Sequence, residues 1–436
     1  MLRRFLAGFL SLIKLIMTTF VVLGLALSAV QAGVADLTGA GTAASPYLVS
    51  SGNELDEALN KIAEDFEAVD GLNISAMHYI ELTKDIDAIA SSTYGDEDND
   101  HPVRLTVDGK GYSIKGTLPA SAPIHTTGNK YTGFRFANRT PWTETDPGTG
   151  RGNHIVLKNL TVSGLHNAEP HGGGAFAMFG GKFEADNCVF SGNASYAAGR
   201  DGGEPSRGGG AILLQHPASF LSVKNSAFIK NTAAGAGGAI DSSGEAEDSV
   251  IIENSTFYGN KSTAAGGGGG AIVYSRALGS ITNCTIVGNE SSGMGGGVYA
   301  RYNLGGRVIG TASKLTLNNS IVAGNNSSTE SDAATDNVLV VSADIRGSHN
   351  LIGTTSGNVS LGDTLTGVTV SHFLASGPPV VNDSGTPTIA LLSVADSPAV
   401  DKANEDVAPK TDQRGFTRYG DPDIGAYELL SDIAVD

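Results

Sequence analysis

The residues of this 436-residue chain best suited to chemistry are two arginines and three tyrosines in neighbouring glycine-rich stretches. Tyr274 and Arg276 follow the GGAI that ends at Ile272, and Tyr299, Arg301 and Tyr302 follow the GGGV that ends at Val298. An arginine can neutralise a uronate carboxylate and acidify the adjacent carbon while a tyrosine moves protons, which is what β-elimination requires. The same forks and ring faces grip sugars or protein strands without chemistry, and binding is the simpler expectation for them.

A second candidate is Asp96-Glu97-Asp98-Asn99-Asp100, in which Asp96, Asp98 and Asp100 alternate as in a calcium loop. Its sixth position is His101 rather than glycine and its twelfth is Val107 rather than glutamate. The expectation is therefore a solvated acidic loop, with calcium as the alternative; no other cofactor is indicated. The sequence contains no HExxH, no GxSxG elbow and no GK[ST] after its glycine runs, so zinc hydrolysis, serine hydrolysis and phosphate cradling lack their motifs. Neither the NTD, GHG and RIK strings of pectin hydrolases nor the WxDH and RxPxxR of pectate lyases occur. Trp142, the only tryptophan, follows Arg139-Thr140-Pro141 and reads as a packed loop residue.

These candidates sit in a repeat. NLTVSGL at 159, NCVFSGN at 187, NSAFIKN at 225, NSTFYGN at 254, NCTIVGN at 283 and NSIVAGN at 319 return with a period of about 29 residues. Interleaved with them run GGGAF to Phe176, GGGAI to Ile212, GGAI to Ile240, GGAI to Ile272 and GGGV to Val298. Short β-branched runs joined by Gly, Asn and Ser cannot bury their own apolar face and must stack on copies of themselves. The fold class expected is all-β, a right-handed parallel β-helix. Val162, Phe190, Phe228, Phe257, Ile286 and Val322 should then form one inward column at about 4.8 Å spacing. Asn187, Asn225, Asn254, Asn283 and Asn319 should form a structural amide ladder at the turns. Cys188 and Cys284 share one place in the repeat three coils apart, about 14 Å, which is too far for a disulfide, so two free buried thiols are expected.

The flanks read as caps against open strand edges. Asn53 can cap a helix whose apolar face is Leu55, Leu59, Ile62 and Phe66. Near the other end, Asp401, Asp412, Arg414, Arg418, Asp423 and Glu428 should make an ion-pair and hydrogen-bond cluster fixing the C-terminal segment over the last coil.

Residues 1–32 read as a signal peptide: Arg3, Arg4 and Lys14, the apolar run Leu15 to Val30, and Val30-Gln31-Ala32 before cleavage. No further stretch of the mature chain is apolar enough to span a membrane. With 28 Lys and Arg against 45 Asp and Glu, and a net charge of -17, nucleic acid and anionic membranes are poor partners. The boundaries expected are 33–72 for an N-terminal cap with a short helix, 73–370 for the β-helix and 371–436 for a C-terminal cap.

The GGA[IV] and FxxN alternation over residues 159–325 resembles the repeats of polymorphic outer-membrane proteins and related bacterial β-helix adhesins. NSIVAGN at 319, ADIRGSHNLIG at 343, SPAVDKA at 397, TDQRGF at 411 and DIGAYE at 423 resemble a choice-of-anchor Q domain. The resemblance implies a bacterial surface or secreted β-helix protein, usually followed by a sorting or anchoring signal, and implies no reaction. Only Leu429 to Asp436 follow DIGAYE, and no such signal is visible there. The functional expectation is adhesion or binding of an extracellular glycan or a component of a host or neighbouring cell surface. A polysaccharide lyase or glycoside hydrolase is the first alternative and a structural envelope protein the second. The sequence leaves the oligomeric state open.

Overall fold

The computed structural model of the chain describes residues 37–65, 67–69, 72–88, 93–94, 102–116, 133–137, 143–146, 149–167, 172–196, 208–243, 250–263, 267–275, 278–301, 314–328, 337–341, 344–357 and 359–430. The chain divides into Met1–Thr38 and Gly39–Asp436. The signal peptide expected over residues 1–32 and the helix residue Phe66 lie outside the described residues, as does Trp142.

The second unit is a right-handed parallel β-helix. A typical turn of it runs through Val250–Glu253, Thr256–Tyr258, Lys261–Ser262 and Ile272–Ser275 before the next turn begins at Leu278–Thr282. Each strand pairs in parallel with its counterpart one turn away, as Thr256, Phe257 and Tyr258 do with Thr285, Ile286 and Val287. The corner between the first two strands is made by Asn159, Asn187, Asn225, Asn254, Asn283 and Asn319, whose φ angles of 44° to 53° lie in the left-handed region that asparagine tolerates.

The inward column follows the register expected, from Val162 through Phe190, Phe228, Phe257 and Ile286 to Val322. All six side chains are fully buried. The rings of Phe190, Phe228 and Phe257 stack with centroids 4.7 Å apart at each step. Burial of each such side chain contributes about 1.5–3 kcal/mol.

The polar ladder departs from expectation in position. The continuous one is formed by the asparagine that closes five of the six motifs, Asn193, Asn231, Asn260, Asn289 and Asn325, and is extended by Asn337. Each of the first five Nδ2 groups donates to the next Oδ1 at 2.8–3.0 Å. The first five also donate to a carbonyl in a neighbouring strand, as Asn260 does to Phe228 O at 2.9 Å. All six are buried, where an unpaired amide costs about 1–3 kcal/mol, so only a row satisfied on every turn is stable there. Along the corner asparagines the coil-to-coil bonds are patchier. Asn187 donates to Asn159 Oδ1 at 2.8 Å and Asn319 to Asn283 Oδ1 at 3.1 Å, whereas Asn225 turns to Asp186 Oδ1.

Cys188 and Cys284 are free and buried, and burial pushes both thiols up to about 12. Their place in the repeat is a third ladder. The N–H of Cys188 donates to Ser226 Oγ, that of Ser226 to Ser255 Oγ and that of Cys284 to Ser320 Oγ, at 3.1–3.2 Å.

The parallel stack begins at Tyr47–Val49, ahead of the helix, and this strand pairs with His78–Leu82. Helix α1, Gly52–Glu64, buries Leu55, Leu59 and Ile62, and Leu55 and Leu59 face Leu105, Phe134 and Phe176 inside the first coils. Its N-cap is Ser51 rather than Asn53: the Ser51 side chain accepts from the Glu54 N–H at 3.2 Å. Ser51 has the extended backbone that a cap requires, and Asn53 already lies inside the first turn.

The C-terminal segment does not lie over the last coil. It runs back along the flank of the stack. Thr386 Oγ1 donates to Asn225 O, Asn254 Nδ2 to Thr411 O, Asn283 Nδ2 to Asp423 O and Asn319 Nδ2 to Asn404 O. The corner asparagines expected to serve only as a ladder thus also hold this segment in place. Beneath it, Val287, Ile321, Ala323 and Leu351 on the outer face of the stack pack against Phe373, Leu374, Ile389, Leu391, Ala399 and Ile424.

The expected charge cluster is present and locks the segment. Asp412 and Arg414 form a buried ion pair at 2.7 Å, with the Arg414 guanidinium 3.6 Å from the Tyr427 ring centre. Arg418 pairs with Glu428 at 2.8 Å and also donates to Asn254 Oδ1 on the stack. Asp423 accepts from the N–H groups of Leu429 and Asp401. Burial pushes the Glu428 carboxyl up to about 7 and raises Asp423 as well.

A candidate ligand-binding cleft

Of the five residues singled out by their side-chain chemistry, the three described ones, Tyr274, Tyr299 and Arg301, do not come together on an open surface. Tyr274 points inward from Ile272–Ser275, in register with Ser242 and Ala300, and is wholly buried. Burial raises its phenol well above the ordinary range, so it neither meets a ligand outside the stack nor moves a proton near neutrality. Tyr299 and Arg301 point outward from Val298–Arg301 yet are only 7% and 5% exposed. The Tyr299 hydroxyl donates to Met294 Sδ at 3.7 Å, and Gly268 lies against its ring: a Cβ there would fall 2.2 Å from Cδ1. Arg301 Nε donates to Ser275 Oγ at 2.9 Å, and its guanidinium sits 5.6 Å from the Tyr299 ring centre. These two side chains bind neighbouring turns of the stack to each other. Arg276 and Tyr302 lie outside the described residues, as do the carboxylates Asp96, Asp98 and Asp100 of the calcium alternative. Among the described residues, no group of three His, Cys, Asp or Glu side chains is placed to hold a metal ion.

An open cleft of about 940 Å³ lies instead where the last two turns meet the returning C-terminal segment. One wall carries His349 and Asp363, the other Asp396, Asp401 and Lys402. His349 and Asp363 follow Ser348 and Gly362, which pair with each other in the register that places Asn318 beside Ser348. They therefore occupy the corner held by asparagine in the preceding turns, and they share its left-handed backbone, with φ of 55° and 44°. The change of residue type at a conserved backbone position turns the corner from one that serves the stack into one that offers an imidazole and a carboxylate. His349 Nδ1 lies 3.0 Å from Ser348 Oγ.

Between the polar groups, Leu365 and Val394 are 54% and 41% exposed and add apolar surface to the same cleft. Asp401 joins the cleft rather than the ion pairs expected of it. Its backbone N–H donates to Asp423 Oδ1 at 2.8 Å, and its own negative charge adds to the rise of the Asp423 carboxyl. A few convergent polar groups around an apolar patch are what a ligand of several sugar rings requires: carboxylates accept from hydroxyls, and the apolar side chains cover C–H faces. Sequence reading missed this site because SHN at 348 and GDT at 362 do not look like the NS corner motif. The signal was the loss of asparagine at that corner after Asn319.

No protein-family model matches this chain, and no curated protein matches it.

Proposed function

We propose that the chain is an exported bacterial surface protein of adhesin type, similar to choice-of-anchor Q proteins, that binds an extracellular glycan in the cleft bounded by His349, Asp363, Asp396, Asp401 and Lys402. The observation that carries this reading is the cleft itself, with its polar groups on two walls and Leu365 and Val394 exposed between them. The basic and apolar leader of residues 1–32 supports export. Among the described residues, no helix is long and apolar enough to cross a membrane.

The test is calorimetric titration of the purified protein with neutral and uronate oligosaccharides. Saturable binding that falls at least about tenfold in Asp363→Ala and Asp396→Ala, equivalent to about 1.4 kcal/mol each, is the result expected. Binding unchanged in both variants overturns the assignment of the cleft. Three carboxylates and an imidazole on one cleft also favour a second reading, hydrolysis or β-elimination of the bound chain. Shortened oligosaccharides after incubation, seen by chromatography and lost in the same variants, would select it.

A further inference from the structure

The two ends of the β-helix are finished differently. Helix α1 packs Leu55 and Leu59 into the first coils. At the far end the last turn is Thr355–Ser356, Val359–Gly362 and Leu365–Thr366, which pair back to Val338–Val341, Asp344–Ser348 and Leu351–Ile352. Among the described residues nothing pairs with the outward edges of these three strands, because the chain beyond them returns along the flank. Val359 and Leu361 continue the inward columns of Ile345 and Leu317 but stay half-buried, since no further turn covers them.

We propose that two copies of this chain join tail to tail through these ends, about a two-fold axis perpendicular to the stack. Three features select a second copy as the occupant. An isolated extended peptide can pair with one edge of the last turn, whereas another coil end presents three. The last turn is also nearly symmetric about its longest strand: two residues of sequence separate Val359–Gly362 from a two-residue strand on either side. A two-fold axis therefore sets Val359–Gly362 antiparallel to its copy and brings Thr355–Ser356 of one chain against Leu365–Thr366 of the other. Keeping inward residues inward places the axis at Ser360 or at Leu361. Finally, residues 354–367 hold one charge, Asp363, in a chain of net charge -17, and no lysine or proline of the kind that protects open edges. Copies repelled elsewhere can approach at this end.

Sedimentation equilibrium of the purified protein tests this, independently of any glycan. The expected result is a mass that doubles with rising concentration and a dissociation constant weakened at least tenfold by Leu361→Lys, which sets a charge into the joined core. Because that variant could loosen the last turn, Ser360→Cys and Leu361→Cys serve beside it: one of the two gives a covalent dimer on mild oxidation, with Cys188 and Cys284 buried out of reach. A single-chain mass at every concentration overturns the proposal, as does a dimer that Leu361→Lys leaves unchanged and neither cysteine variant links.

Discussion

The outer face of the sheet that holds the phenylalanine column has two different lives along one molecule. In the early turns it carries Ser113 and Lys115, then Thr161 and Ser163, all exposed or half-buried. In the late turns the same register positions carry Thr285 and Val287, then Ile321 and Ala323, and these are buried under the C-terminal segment. The inward residue between them, Ile114, Val162, Ile286 or Val322, is buried throughout. The fold is thus set by the middle residue of each triplet, and the docking of the returning segment by its neighbours. A solenoid can acquire a partner surface by changing outward residues alone.

Three changes probe that division. The largest effect belongs to Arg414→Ala, which leaves the Asp412 carboxylate buried without its partner and should cost the docked segment about 3–5 kcal/mol. Limited proteolysis should then release the C-terminal segment while the parallel sheets keep their circular dichroism; concerted loss of both would show that the two regions are not separable. Next, Ile321→Ala should cost about 2–5 kcal/mol in denaturant unfolding. Thr161→Ala, at the matching outer position of an early turn, should stay within about 0.5 kcal/mol. Equal costs would erase the distinction between covered and open turns.

The smallest effect is a pH response of opposite sign in the two regions. Glu428, in the docked segment, is raised by burial from 4.5 to about 7, so between these values the folded state holds the extra proton. Its contribution is full below 4.5 and is lost as pH rises through about 7. Glu184, on the outer face of an early turn, also meets the opposing effect of burial, but hydrogen bonds from His154 at 2.7 Å and from Lys182 bring it down to about 2. Its contribution is present above 4.5 and is lost as pH falls toward 2. Protease sensitivity mapped against pH should therefore rise in the C-terminal segment on the alkaline side and around residues 154–184 on the acid side. Glu428→Gln should remove the alkaline limb.

The coil was legible in the sequence because its rule is local. An apolar residue inside each triplet and asparagine at each corner repeat in fixed register, so Val162 through Val322 could be aligned by eye. The buried row was visible from Asn193 to Asn325 as the last letter of five motifs, though not at Asn337, which belongs to none of them, and nothing in the letters tells which asparagine of the pair faces inward. The cleft was not legible, because it depends on where residues 394–402 lie against the last two turns, a long-range contact with no repeat to announce it. Tyr274 misled for a related reason: a tyrosine after glycines looks exposed, and only the register with Ser242 and Ala300 turns it inward.

The returning segment also has a mechanical consequence. Under tension along its axis, a simple stack of turns bears load one interface after another and parts at the weakest. Residues 384–429 are tied to the turns at Asn225, Asn254, Asn283 and Asn319 together, so that stretch shares force in parallel, as a splint does. The turns before Asn225 have no such tie among the described residues. They are where extension should begin, and anything gripped at the cleft is held by the stiffer half.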